Sequence, residues 1–146
     1  MVEGFNFSIH IKPRYGDVDY LGHVNNVIYL RYFEEGRFEY CKALNFLTPG
    51  DSPVSFIILD NYCKYEKAIT FHDRVDLHVR IAEHGNKSFR FEYLMLLAGT
   101  DEVVATGYST AVAYDYEKKR SVPIPEDAKQ RMLEFESGDN RRKVVE

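Results

Sequence analysis

The chain has 146 residues, 45% of them hydrophobic and 29% charged, which fits one globular domain and excludes a disordered segment or two full-sized units. A net charge of −4 and a pI near 5.7 exclude a globally basic binder of nucleic acid or anionic membrane. With no run near the ~20 apolar residues of a membrane span and no stretch resembling a signal peptide, the expectation is a cytoplasmic protein.

Aromatic residues reach 14%, with 11 Tyr and 10 Phe, more than a minimal core needs, so a pocket or a subunit interface is expected to use the excess. Cys41 and Cys63 stand outside any CxxC or Cys/His ligand spacing, which favours buried free thiols over a disulfide or a zinc site.

Phe5, Phe7, Ile9 and Ile11 alternate with polar residues, a period-2 pattern that predicts a half-buried strand closed by Pro13. A loop rich in Gly and Asp follows, through Asn25. From Asn26 to Leu44 the period lengthens: Tyr29, Tyr32, Phe33, Gly36, Tyr40 and Leu44 share one face, predicting a long amphipathic helix. Asn25 or Asn26 supplies its N-cap. Gly36 costs about 1 kcal/mol of helix propensity against Ala, so a close approach to a sheet is expected there.

The breaker cluster Thr48-Pro49-Gly50-Asp51-Ser52-Pro53 then separates the helix from four strand-like segments: Val54 to about Lys67, Val75–Ile81, Phe89–Leu97 and Val103–Tyr114. His84-Gly85-Asn86 and Gly99-Thr100-Asp101 read as hairpin turns, so the later strands should be antiparallel neighbours. After Pro123 and Pro125, Ala128, Met132 and Phe135 predict a short helix over Glu126–Glu136, leaving residues 137–146 as a charged, frayed tail and 1–136 as the domain. One helix covers only one face of a five-stranded sheet, so association with a second copy, as dimer or tetramer, is expected.

Within this order, Asp19-Tyr20-Leu21-Gly22-His23-Val24-Asn25-Asn26-Val27-Ile28-Tyr29 is the most informative segment. It sets a carboxylate and a histidine in a turn just ahead of a helix start. Free N–H groups there, reinforced by the macrodipole, can polarise an acceptor oxygen, and a nearby acid suits attack on an activated carbonyl. There is no G-x-S-x-G elbow, Walker A or G-x-G-x-x-G motif. His72, His78 and His84 recur every six residues, but they span two turns and a strand, and no metal site is expected. Arg141-Arg142-Lys143 is too short and too flanked by acids to bind nucleic acid.

The run Arg14–Tyr29 and the element order resemble the hotdog-fold acyl thioesterases of the 4-hydroxybenzoyl-CoA thioesterase type, in the branch whose loop reads D-x-x-G-H-V-N-N-x-x-Y. Tyr65–Val75 resembles the family's Y-x-x-P-x-x-x-G-D-x-φ junction, with Ala68 and His72 replacing its Pro and Gly, and Asn86-Lys87-Ser88-Phe89 resembles its K-S-φ start of the fourth strand. The resemblance covers roughly residues 5–115. It implies an α+β hotdog fold, with a five-stranded antiparallel sheet wrapped around one long helix and a short C-terminal helix.

The resemblance also implies an acyl-CoA thioesterase, with CoA as part of the substrate and no other cofactor or metal. In it Asp19 is nucleophile or general base, the amide near Asn26 receives the oxyanion, and His23 orients water, contacts the acyl group or fixes the loop. Asp17 is expected to be only a hydrogen-bond acceptor of the loop. Gly22, Val24, Asn25 and Tyr29 surround the substrate; Asp60, Asn61 and Tyr65 come from the partner subunit; and Lys87, Ser88 and Arg90 meet the nucleotide end of CoA. Leu21 replaces an Asn that the plant-type enzymes use beside the catalytic acid. Acyl-ACP as substrate, a hotdog hydratase acting on enoyl or hydroxyacyl thioesters, and a non-catalytic acyl-thioester binder remain as alternatives.

Overall fold

The computed structural model describes residues 2–47 and 54–139. Its elements run β1 (Ser8–Ile11), a single 3-10 turn (Tyr15–Asp17), α1 (Asn26–Ala43), β2 (Phe56–Tyr65), β3 (Val75–Ala82), β4 (Ser88–Leu97), β5 (Val103–Asp115), β6 (Arg120–Ser121) and α2 (Glu126–Glu134). The sheet order is β1-β3-β4-β5-β2, every neighbouring pair is antiparallel, and β6 adds a short pairing to β5. This is the hotdog architecture: an antiparallel sheet curled against one long helix, with a short helix at its C-terminal end. No helix among the described residues is long and apolar enough to cross a membrane.

The period-2 segments become strands because alternation gives each a dry face. In β3, Val75, Leu77, Val79 and Ile81 are buried while the residues between them are not, and β4 repeats this with Phe89, Phe91, Tyr93 and Met95. Against that face α1 lays Tyr29, Tyr32, Phe33, Gly36, Tyr40 and Cys41. A Cβ on Gly36 would stand 2.6 Å from Leu77 Cδ2 and 2.9 Å from Val79 Cγ2, so the helix backbone rides directly on β3. Phe33 stacks on Tyr93, ring centroids 4.1 Å apart and nearly parallel, and its edge lies over Gly107, where a Cβ would come within 2.6 Å of Phe33 Cε2.

Several boundaries differ from the sequence expectation. Phe5–Phe7 lie ahead of β1 rather than in it, although Phe7 O still accepts from Val79 N (3.1 Å) and its ring is buried. β2 is confined to Phe56–Tyr65 and shifts register between Ile58 and Asp60, a bulge that leaves Leu59 exposed. The β5–β6 hairpin escaped notice because β6 has two residues, too few to show a period. The α-helix α2 ends at Glu134, and the chain turns on through Phe135–Asp139. There Glu136 accepts from the Tyr40 hydroxyl and from Ile81 N, and so pins the C-terminal segment to α1 and β3. The breaker cluster at 48–53 and the tail at 140–146 lie outside the described residues.

Cys41 and Cys63 are both free. Burial pushes the Cys41 thiol up to about 12. Cys63 is only partly buried, because it sits on the edge strand β2.

Candidate active site

The loop ahead of α1 is built around Asp17 and Gly22. Asp17 Oδ2 accepts from the buried Tyr32 hydroxyl at 2.6 Å and from Arg14 N at 2.9 Å, and Asp17 O accepts from Asn25 N at 2.9 Å. Asp17 therefore fixes both ends of the loop to the helix and acts as the acceptor expected of it. Burial and this carboxylate push the Tyr32 phenol far above its usual range, so it stays a donor. Between the ends, Val18 and Val24 form an antiparallel bridge. Asp19 to His23 makes the reversal, with Gly22 N donating to Asp19 O and Asp19 N to His23 O. Gly22 has φ +85°, the left-handed region that glycine enters without strain. The G of the D-x-x-G-H pattern has that physical basis.

Asp19 does two things in this geometry. Its Oδ1 accepts from Leu21 N (2.9 Å) and His23 N (3.2 Å), the turn-shaping use of an Asp. Its Oδ2 makes no hydrogen bond among the described residues, so one carboxylate oxygen is fixed and the other is left over. His23 is exposed; its backbone bridges to Thr70, and Val24 N donates to Ile69 O at 2.8 Å, strapping the loop to the segment after β2. Leu21 projects into solvent.

At the helix start Asn25 caps as expected, its Oδ1 accepting from Val27 N at 3.1 Å. The Asn26 N–H donates to no group among the described residues, and it points from the positive end of an 18-residue helix. Beside it lies a groove of about 260 Å³ whose lining includes Val24, Asn26, Tyr29 and Tyr65. The two tyrosines meet edge to face at 4.9 Å, Tyr29 donating to Lys67 O and Tyr65 to Asn26 O. Partial burial raises both phenols, which keeps them protonated at neutral pH.

Of the residues singled out in the sequence, Val24, Asn26, Tyr29 and Tyr65 line this groove, while Asp19, Gly22 and His23 form the turn just ahead of it and Asn25 the helix cap. Tyr65, expected from a partner subunit, closes on the Asn26 of its own chain. Asp60 and Asn61 do not share a face, since consecutive strand residues alternate: Asn61 turns toward the helix side, where it meets Ser109, and Asp60 to the other. Lys87, Ser88 and Arg90 lie at the opposite end of the sheet, because Ser88 pairs with Val112 while the loop end is marked by Val104, eight residues or about 27 Å along β5. Arg90 is also engaged, over the Tyr108 ring at 4.1 Å and with Glu83 at 3.3 Å.

Sequence reasoning passed over two features. The Tyr32–Asp17 bond has a visible trace, since a tyrosine on the buried stripe of a helix needs a partner for its hydroxyl, but that partner lies 15 residues away in a loop. A polar cluster of Arg37, Tyr93, Ser109 and Asn61 between α1 and the sheet combines residues from four elements and leaves no linear signature.

Chemically, a fixed carboxylate with a spare oxygen, an unpaired helix-start amide and a groove with tyrosine walls make an arrangement suited to a polarised carbonyl. Among the described residues no group of three or more His, Cys, Asp or Glu side chains is placed to hold a metal ion. Known proteins resemble this chain over most of its length. A thioesterase from Thermus thermophilus, solved with coenzyme A and Zn, is 29% identical, with a TM-score of 0.81 over 93% of this chain and 98% of that one. A protein from Bacillus stearothermophilus described as a predicted thioesterase is 26% identical, with a TM-score of 0.78 over 88% and 95%. The uncharacterised Bacillus subtilis protein YsmA is 27% identical over 88% of this chain and 86% of its own length. The Thioesterase-like superfamily profile matches residues 13–132, including the whole loop, α1 and all of β2 to β5; the chain belongs to that superfamily.

Proposed function

We propose that this protein hydrolyses acyl-CoA thioesters, R–CO–S–CoA plus water giving R–COOH and the free thiol, as a member of the branch with the D-x-x-G-H-V-N-N-x-x-Y loop. The observation that carries this reading is the Asn26 N–H at the start of α1, which has no partner among the described residues, on a residue that lines the groove next to the Asp19 turn. The thioester carbonyl oxygen accepts from that amide, which stabilises the negative charge as the carbonyl carbon becomes tetrahedral. Asp19 either takes a proton from an attacking water or attacks directly, forming an anhydride that water then opens. Its Oδ1, tied to two backbone amides, holds the carboxylate in place, and the spare Oδ2 is the reacting oxygen. His23 positions the water, and the thiolate leaves toward solvent.

The Thermus relative bound to coenzyme A supports a CoA thioester as substrate. The free edge of β2 supports assembly about a twofold axis, because antiparallel pairing of two β2 edges sets the Phe56 end of one copy against the Tyr65 end of the other. That pairing carries the partner's Lys87, Ser88 and Arg90, two strands in from the edge, toward the Asp19 loop, where cations suit the phosphates of CoA. The 27 Å separation within one chain is then no obstacle.

The test is thiol release across a panel of acyl-CoA substrates with an acyl-ACP included. Asp19→Asn is expected to lower kcat by at least ~10²-fold with the fold intact, the usual worth of a general base. Unchanged thiol release in the purified variant removes Asp19 from the mechanism. Hydration of crotonyl-CoA without thiol release identifies a hydratase instead, and tight acyl-CoA binding without turnover a binding protein.

A further inference from the structure

Both α1 and the edge strand β2 line two separate grooves: the Asn26 groove, and further along both elements a second of about 230 Å³, lined by Glu34, Arg37, Phe38, Cys41, Leu47, Phe56 and Ile58. Most of that lining is apolar. Arg37 is the exception: its side chain is only 13% exposed. Its Nη1 donates to Tyr93 Oη at 3.2 Å and Ser109 Oγ at 3.5 Å, Tyr93 donates on to Ser109, and Ser109 to Asn61 Oδ1 at 2.5 Å. Every donor in this chain points away from Arg37, so its oxygens hold the guanidinium in position without offering it a negative charge.

Among the described residues the carboxylate in ion-pair range is Glu34, 4.0 Å from Nη2 and itself 63% exposed, too distant and too solvated to neutralise a cation this deeply set. A mostly buried cation whose hydrogen-bond partners are neutral and whose ion pair is long and solvated gains from an anion that completes it. Among the described residues Nη2 and Nε make no hydrogen bond, and they are not sealed from solvent, since the His84 ring nitrogen alone is buried without a partner. They are available to a ligand in the groove.

We infer that Arg37 recognises a carboxylate at the far end of the acyl chain, so that the preferred substrates are ω-carboxyacyl thioesters of medium length. This rests on the thioesterase reading above. The span follows from two routes. Asn26 to Arg37 is eleven residues of helix, about 16 Å; Tyr65 to Asn61 is four residues of strand, about 13 Å. Subtracting a hydrogen bond of about 3 Å at each end leaves roughly 7–10 Å, or some six to eight bonds at about 1.2 Å of extended chain each. An eight-carbon dicarboxylic acid activated at one end fits that span. A plain fatty acyl chain of the same length would instead lay a methyl group against a guanidinium and displace its water.

The experiment compares octanoyl-CoA with its ω-carboxy counterpart, suberyl-CoA, on the full chain, reading kcat/KM for thiol release. Suberyl-CoA is expected to be favoured at least ~10-fold. In Arg37→Met this preference ratio should fall by ~10-fold or more, while Arg37→Lys keeps part of it. Circular dichroism melting checks that the variants fold; if Arg37→Met does not, the wild-type ratio decides. A wild-type ratio near one, or a ratio that Arg37→Met leaves unchanged, overturns the inference while the thioesterase reading stands. Absence of thiol release from both substrates and from the wider panel overturns the thioesterase reading itself.

Discussion

Replacing Gly107 by Ala tests how tightly the wall of the groove is built. The added methyl would meet the carbonyl oxygen of Tyr62 on the neighbouring edge strand and stand 2.6 Å from Phe33 Cε2, where about 3.5–4.0 Å is comfortable. Phe33 cannot tilt away freely, because its ring is stacked on Tyr93, and the carbonyl cannot retreat without distorting the β2–β5 ladder around Cys63, which pairs with Gly107. Overpacking costs about 1–3 kcal/mol, and loosening one or two ladder hydrogen bonds adds about 0.5–1.5 kcal/mol each. Against this, Ala gains about 0.5–1 kcal/mol by restricting the unfolded chain.

The net expectation is a loss of about 0.5–5.5 kcal/mol, which for a chain of this size lowers Tm by roughly 2–17 °C. Denaturant titration followed by circular dichroism gives the number. Gly16→Ala serves as control, since nothing lies within 4 Å of its Cβ position and its φ is not positive; it should shift stability by less than about 0.5 kcal/mol. If Gly107→Ala is as stable as the wild type, or more so, β2 yields freely and the account of a firmly seated edge strand is wrong.

Tyr32→Phe removes one of the two donors to the buried Asp17 carboxylate oxygen, and should cost about 1–3 kcal/mol of stability in thermal melts; a neutral outcome means the loop is held otherwise. Gly22→Ala meets no neighbour within 4 Å but forces φ near +85° on an L-residue, at a cost of about 1–2 kcal/mol. Gly22→Asn, which tolerates that region, should lose less by the same assay. Burial raises the Glu136 carboxyl above its ordinary value near 4.3, outweighing the hydrogen bonds from Tyr40 and Ile81 N. A raised folded-state value means that its contribution is full below the unfolded value and is lost as pH rises through the folded one. Glu136→Gln should therefore gain stability relative to wild type as pH rises above the ordinary carboxyl range, and a pH-independent difference in denaturation midpoint would refute this. In the native protein, Cys41, fully buried with its thiol pushed up to about 12, should resist iodoacetamide at pH 8 and react only on unfolding, as read by intact mass.

Local patterns determined much of this protein. The period of two in β3 and β4, the longer period of α1, the capping Asn25 and the αL glycine at position 22 each act over a few residues, so the chain order displays them directly. The Asp19 turn and the start of α1 adjoin for the same reason: they are contiguous, and the turn and helix start they specify leave them little freedom.

What the order could not display is which distant side chains meet. Nothing local tells that Tyr65 closes on its own Asn26, that Asp60 and Asn61 part to opposite faces beside a bulge, or that the Ser88–Arg90 end lies about 27 Å of strand away from the Val104 end of β5. Nor does it tell that Arg37 packs inward to hydrogen-bond Tyr93 and Ser109. Those outcomes depend on strand order and register, which are settled by how the whole sheet buries its apolar face against α1. The local chemistry was written into the chain; its distant partners followed only from that packing.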